Sequence, residues 1–110
     1  MRASHRLAHD RLVYEIIRAL SATGLGRFWS QPTGAAYRDD QLIRYGVIGS
    51  ADISGIVRGG KRFECEVKTG KAVQSPRQKN FQAMIVMMGG HYFVAHSIDE
   101  AVSYLKSVAT

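Results

Sequence analysis

Ala51-Asp52-Ile53-Ser54-Gly55-Ile56-Val57, then Arg58-Gly59-Gly60-Lys61, then Arg62-Phe63-Glu64-Cys65-Glu66-Val67-Lys68, reads as two strands joined by a glycine-rich turn. Side chains alternate along a strand, so Phe63, Cys65 and Val67 are expected to face a core while Glu64, Glu66 and Lys68 share the opposite side. The turn decides what stands across from them. A three-residue connection sets Asp52 directly opposite Glu66, whereas a two-residue loop pairs Asp52 with Val67, so a three-residue turn or a bulge is expected.

Outward from this hairpin the chain is helical at both ends. Val13, Ile16, Ile17 and Leu20 follow the i, i+3, i+4, i+7 spacing of an amphipathic helix, predicted from about Leu7 to Ala22 and ended by Gly24 and Gly26. Phe28 and Trp29 suggest a short strand. Gln31-Pro32-Thr33-Gly34 and Tyr37-Arg38-Asp39-Asp40 read as a long polar loop, of the kind that is often functional in small domains. Beyond the hairpin, Ser75 is a good N-cap and Pro76 suits the first helical position. Phe81, Met84, Ile85 and Met88 then make a buried stripe before Gly89-Gly90 stops the helix. His91 to His96 is expected to be a strand, with both histidines structural. Ser97 and Glu100 form a capping box that opens a last helix with Ile98, Ala101, Val102 and Leu105 on its core face. The predicted order is α-β-β-β-α-β-α, an α/β sandwich around a mixed sheet with a crossover through the second helix.

Composition narrows the class. At 110 residues the chain is long enough for one core, so residues 1–110 are read as a single domain. With 45% hydrophobic and 22% charged residues it lies far from the profile of disorder. No stretch approaches the roughly 18 apolar residues of a membrane span, and no signal-peptide run follows Arg2, His5 and Arg6. A cytoplasmic location is expected. Cys65 stands alone, which excludes an internal disulfide and a zinc site of the usual cysteine spacing. A formal charge of +6 and a pI near 9.8 favour polyanionic partners such as DNA.

The hairpin residues suit one kind of chemistry. Hydrolysis of a phosphodiester needs a hard cation, oxygen ligands to hold it and a cationic group near the attacking water. Asp52, Glu66 and Lys68 meet those needs if the register is right. An acid-x-lysine pair by itself is more often a solvated pair on a strand surface; the ordered set carries the reading. Gln78 has two roles open to it, at the site or as the second half of a Ser75–Gln78 capping box. Glu64 is read as peripheral to the site. Met84, Met87 and Met88 are read as core or as a dimer contact. Asp39-Asp40 either orders the loop or repels DNA. Arg38, Arg44, Lys71, Arg77 and Lys79 lie on loops or a helix start around the hairpin and fit a phosphate track without base-specific reading.

Gly49-Ser50-Ala51-Asp52-Ile53, a spacer, Glu66-Val67-Lys68, then Gln78 at a helix start resemble the virus-type replication-repair nuclease (VRR-NUC) family of the PD-(D/E)XK superfamily. The resemblance spans nearly the whole chain, from the first helix to Ser97-Ile98-Asp99-Glu100, and includes Gly34 and Tyr45-Gly46. It implies a restriction-endonuclease-like fold, and Mg²⁺ or Mn²⁺ bound by Asp52, Glu66 and the Val67 carbonyl. Lys68 would position or polarise the attacking water, or stabilise the phosphate. It also implies a DNA endonuclease selective for branched DNA such as four-way junctions, working as a homodimer, with no nucleotide cofactor. Two positions depart from the family pattern. Where members often carry an acid in the first helix this chain has His9, with Asp10 beside it, and His9 is either a site contributor or a satisfied interfacial histidine. Ala51 replaces the usual proline before the hairpin acid. The alternatives are a non-catalytic nucleic-acid-binding module with the same fold, and a nuclease acting on linear DNA in replication or repair.

Overall fold

A computed structural model describes residues 2–32 and 34–109. In chain order these form α1 (Arg2–Ala22), β1 (Gly26–Ser30), β2 (Gly34–Arg38), β3 (Gln41–Tyr45), β4 (Ile53–Val57), β5 (Arg62–Val67), α2 (Pro76–Met87), β6 (His91–Ala95) and α3 (Ile98–Val108). The main sheet runs β1-β4-β5-β6, antiparallel at β1/β4 and β4/β5 and parallel at β5/β6. A parallel neighbour cannot be reached by a tight turn, and α2 supplies the crossover that brings β6 alongside β5. The architecture is mixed α/β, with a mixed sheet and three helices among the described residues.

Helices cover both faces of that sheet. On one side α1 and α3 bring Ile16, Leu20, Ala101 and Leu105 onto Phe28, Ile53, Val57, Phe63, Cys65, Val67 and Ala95. On the other, α2 lays Phe81 and Ile85 over Ala51, Tyr92 and Val94. Phe63 is the centre of the first cluster, fully buried and edge-on to Phe28 with centroids 5.3 Å apart. Burying a side chain of this size stabilises the fold by about 1.5–3 kcal/mol. No helix among the described residues is long and apolar enough to cross a membrane.

The decisive hairpin folds with the three-residue connection. Ile53 pairs with Cys65 and Ile56 with Arg62, so one further step of the ladder sets Asp52 across from Glu66. The connection Arg58-Gly59-Gly60 is closed by the Val57 N–H donating to the Lys61 carbonyl and the Gly60 N–H donating to the Val57 carbonyl, both at 3.0 Å. Gly59 and Gly60 have φ of 92° and 84°, a region that side chains disfavour.

Elsewhere the structure corrects the reading. The expected polar loop is a second hairpin, β2–β3, making the order α-β-β-β-β-β-α-β-α. Its two-residue turn is Asp39-Asp40, with φ of 51° and 64°, the left-handed pair that a tight hairpin turn requires. Aspartate tolerates that region better than most side chains, so the tight turn forms although it lacks the usual glycine. These strands form a separate two-stranded sheet. The first helix begins at Arg2, ahead of the predicted Leu7.

In α2 only Phe81 and Ile85 are buried. Met84, Met87 and Met88 are exposed, since Met88 is already the C-cap and Met84 lies off the narrow strip that meets β6. At α3 the capping is one-sided. The Ser97 side chain accepts from the Glu100 N–H, whereas the Glu100 carboxylate accepts from the His96 N–H at 2.9 Å instead of from Ser97.

Candidate active site

Asp52 stands just before β4, held by a backbone hydrogen bond from the Gln31 N–H to its carbonyl at 2.9 Å. Its Oδ2 accepts from the Val67 N–H at 2.7 Å, so the first acid is pinned to the strand that bears the second. Above them lies His9, carried by α1 one turn before the residues that dock on the sheet. His9 Nε2 is 3.0 Å from the Val67 carbonyl and 3.4 Å from Asp52 Oδ2. Both neighbours accept, so Nε2 carries the proton in this arrangement. A shallow cleft of about 180 Å³ opens beside this group, lined by His9, Asp10, Gln31 and Asp52 among others.

Glu66 is 1% exposed, beneath α2. Its Oε1 accepts from the Tyr92 hydroxyl at 2.5 Å. Oε2 is buried with no hydrogen-bond donor, although Lys68 Nζ stands 3.2 Å away as an ion-pair partner outside hydrogen-bonding geometry. Lys68 Nζ instead donates to Gln78 Oε1 at 3.1 Å. The same oxygen accepts from the Ser75 N–H at 2.8 Å, and the Gln78 N–H donates back to Ser75 Oγ at 3.2 Å. Gln78 thus caps its own helix and holds Lys68 at once. The two roles left open by the sequence are both filled by one side chain.

Gly49 explains how α2 reaches that position. Its φ is 81°, and a Cβ there would stand 2.4 Å from the Arg77 carbonyl oxygen. Only glycine lets the first turn of α2 press against the segment leading into Asp52, which brings Gln78 within reach of Lys68.

The structure therefore gathers Asp52, Glu66, Val67, Lys68, Gln78 and His9 at one end of the hairpin. Arg77, Lys79 and Lys71 are exposed on or just before α2. Arg38 and Arg44 sit apart on the β2–β3 arm, exposed, with no described contact to the site.

Among the described residues no three His, Cys, Asp or Glu side chains converge closely enough to form an all-side-chain metal cage. What is present suits a hydrated hard cation better. Mg²⁺ is held by one or two carboxylates and keeps several waters. Oε2 of Glu66, whose partner is the Lys68 ammonium, is the oxygen such an ion would engage, and Asp52 and the Val67 carbonyl are further oxygen donors at the same end of the hairpin. The residues fit the group.

Two features of this face of β5 are not legible in local spacing. Glu64, read as peripheral to the site, is fully buried, its carboxylate accepting from Arg62 Nε at 2.6 Å and Ser54 Oγ at 3.0 Å. Burial raises its pKa, and Arg62 and Ser54 offset part of that rise. Tyr92, the partner of Glu66, belongs to a strand whose register across a crossover is not written in local spacing. The signal that would have found it is alternation: Tyr92 and Val94 share one face of β6. Burial, then its bond to Glu66, pushes the Tyr92 hydroxyl well above the usual phenol range, so it stays a proton donor. Burial, with Asp52, Glu66 and Glu64 nearby, pushes the Cys65 thiol up to about 12 and leaves it inert.

No model of a known family matches the chain, and no curated protein is found to be similar to it.

Proposed function

We propose that this chain is a divalent-metal-dependent nuclease that hydrolyses phosphodiester bonds in DNA, with Asp52, Glu66 and Lys68 at its centre. The observation that carries the reading is the buried Glu66 carboxylate, its Oε2 3.2 Å from the Lys68 ammonium and across the hairpin from a second carboxylate. Two carboxylates and an ammonium drawn together at a cost in hydration are the groups that hydrolysis of a phosphodiester calls for.

Asp52 and Glu66, with the Val67 carbonyl, would hold Mg²⁺ or Mn²⁺. The ion, when bound, supplies charge neutralisation at the phosphate and lowers the pKa of water. Lys68 stands where its ammonium can stabilise negative charge on the phosphate or orient the attacking water, and Gln78 fixes the direction in which it points. His9 holds the Val67 carbonyl and borders Asp52, which makes it a positioning residue on the α1 side. Arg77, Lys79 and Lys71 extend positive charge along the α2 start, and the net charge of +6 favours a nucleic-acid substrate.

The resemblance of the hairpin and helix residues to virus-type replication-repair nucleases adds a preference for branched DNA and a symmetric dimer, two sites serving two strands. Exposed Tyr37, Leu42 and Ile43 on the β2–β3 arm are compatible with such pairing.

The test is cleavage of a labelled four-way junction, a linear duplex and a single strand in Mg²⁺, in Mn²⁺ and in EDTA, by wild type and Lys68→Ala. Metal-dependent cutting of the junction, lost in the variant, supports site and substrate together. Cutting of linear DNA alone keeps the site and moves the substrate. Tight binding with no cutting of any DNA overturns the catalytic reading in favour of a binding module.

A further inference from the structure

Tyr92 is 6% exposed, its ring packed edge-on to Phe81 with centroids 6.3 Å apart, beneath α2. Three side chains settle where its one proton goes. Gln74 Nε2 donates to Gln82 Oε1 at 2.9 Å, which fixes the nitrogen end of the Gln74 amide toward Tyr92. That nitrogen donates to the Tyr92 oxygen at 3.3 Å, so the phenol accepts there. Its single proton is left for Glu66 Oε1, at 2.5 Å. One oxygen of the Glu66 carboxylate is thereby fixed by a hydrogen bond, while the other, Oε2, makes none and has only the Lys68 ammonium, 3.2 Å away, as its partner.

A carboxylate so held offers a cation Oε2 more readily than both oxygens together, because turning to bidentate ligation would strain or break the Tyr92 bond. Ca²⁺ takes six to eight oxygens at roughly 2.3–2.6 Å and accepts bidentate carboxylates, whereas Mg²⁺ demands near-octahedral geometry at about 2.0–2.1 Å with one-oxygen ligands and retained water. We infer that Tyr92, held by Gln74 and Gln82, is a positioning residue that restricts Glu66 to ligation through Oε2 and so sets the preference for a small octahedral cation over Ca²⁺. This rests on the metal-site reading above. It goes beyond that reading in naming which side chain discriminates between cations, and by what constraint.

Calorimetric titration of the full chain with Mg²⁺ and, separately, with Ca²⁺ tests it without reference to cleavage. Wild type is expected to favour Mg²⁺. In Tyr92→Phe, Oε1 is released and the ratio of the two dissociation constants is expected to shift toward Ca²⁺ by about tenfold, the low end of what loss of a partner to a metal ligand costs. Gln74→Glu leaves the Tyr92 ring in place and offers its proton a competing acceptor, so the ratio is expected to move in the same direction. That variant carries the test if Tyr92→Phe does not fold.

A ratio unchanged in the folded variants, with both affinities falling together or holding, means that Tyr92 only packs, and overturns this inference while leaving the metal site standing. Wild type binding Ca²⁺ as tightly as Mg²⁺ also overturns it. Wild type binding neither cation removes the metal-site reading and this inference with it.

Discussion

The two faces of β5 are equally buried and chemically opposite. Phe63, Cys65 and Val67 enter an apolar cluster with Ile16 and Leu20 of α1 and Ala101 and Leu105 of α3. One residue out of phase, Glu64 and Glu66 are as deeply buried on the opposite face, each held by polar partners. The first face gains stability from each side chain it removes from water. The second gives some of it up, because a carboxylate taken out of water must recover from its partners what hydration supplied. One strand thus carries the apolar core on one side and two buried carboxylates on the other, and the hairpin register sets one of these across from Asp52.

Substitutions on the two faces should separate these roles. The largest effect on stability is expected from Phe63→Ala, which empties the centre of the apolar face and should cost about 3–5 kcal/mol in urea denaturation. A cost below about 1 kcal/mol would mean that this face is not the main core. Arg62→Ala takes the ion-pair partner from buried Glu64. Arg62 itself is half-exposed, so water can partly replace it, and a loss of about 1–3 kcal/mol at neutral pH is expected by the same measurement. No loss would show that Ser54 and water suffice for Glu64. Leu42→Ser on the β2–β3 arm touches neither face and should change monomer stability by less than about 0.5 kcal/mol. Light scattering on the same variant sharpens the comparison, because a shift from dimer to monomer would place the arm in the subunit interface.

The contrast also marks what could be read from sequence. The β4–β5 hairpin was legible because period-two alternation and Gly59-Gly60 are local signals, and counting across a three-residue turn sets Asp52 against Glu66. The Ser75-Pro76 start of α2 was legible for the same reason, since capping is local chemistry. The β2–β3 arm was not: its turn uses two aspartates at positive φ, and residues 35–38 and 41–44 are all exposed, so no buried face imposes an apolar alternation on them. The burial of Glu64 was not legible because alternation separates the two faces of a strand but does not tell whether the second is covered. That depended on α2 crossing over it, as did the Tyr92 contact, both set by a tertiary arrangement that no spacing encodes. Met84 and Met88 failed in the opposite direction, read as core because they are apolar at helical spacing, while α2 meets the sheet along a strip only wide enough for Phe81 and Ile85.

The most direct test is the rate of DNA cleavage in Mg²⁺ and in EDTA, measured for wild type and Glu66→Gln at matched folded fraction. Glutamine keeps the shape of the side chain and removes its charge. Wild type should cut in Mg²⁺ and not in EDTA, and the variant should lose about 10³-fold in rate or more while its unfolding midpoint holds or rises. Cleavage that persists in EDTA, or a Glu66→Gln variant that cuts as fast as wild type, would contradict the assignment of this buried carboxylate as the heart of a metal-dependent nuclease.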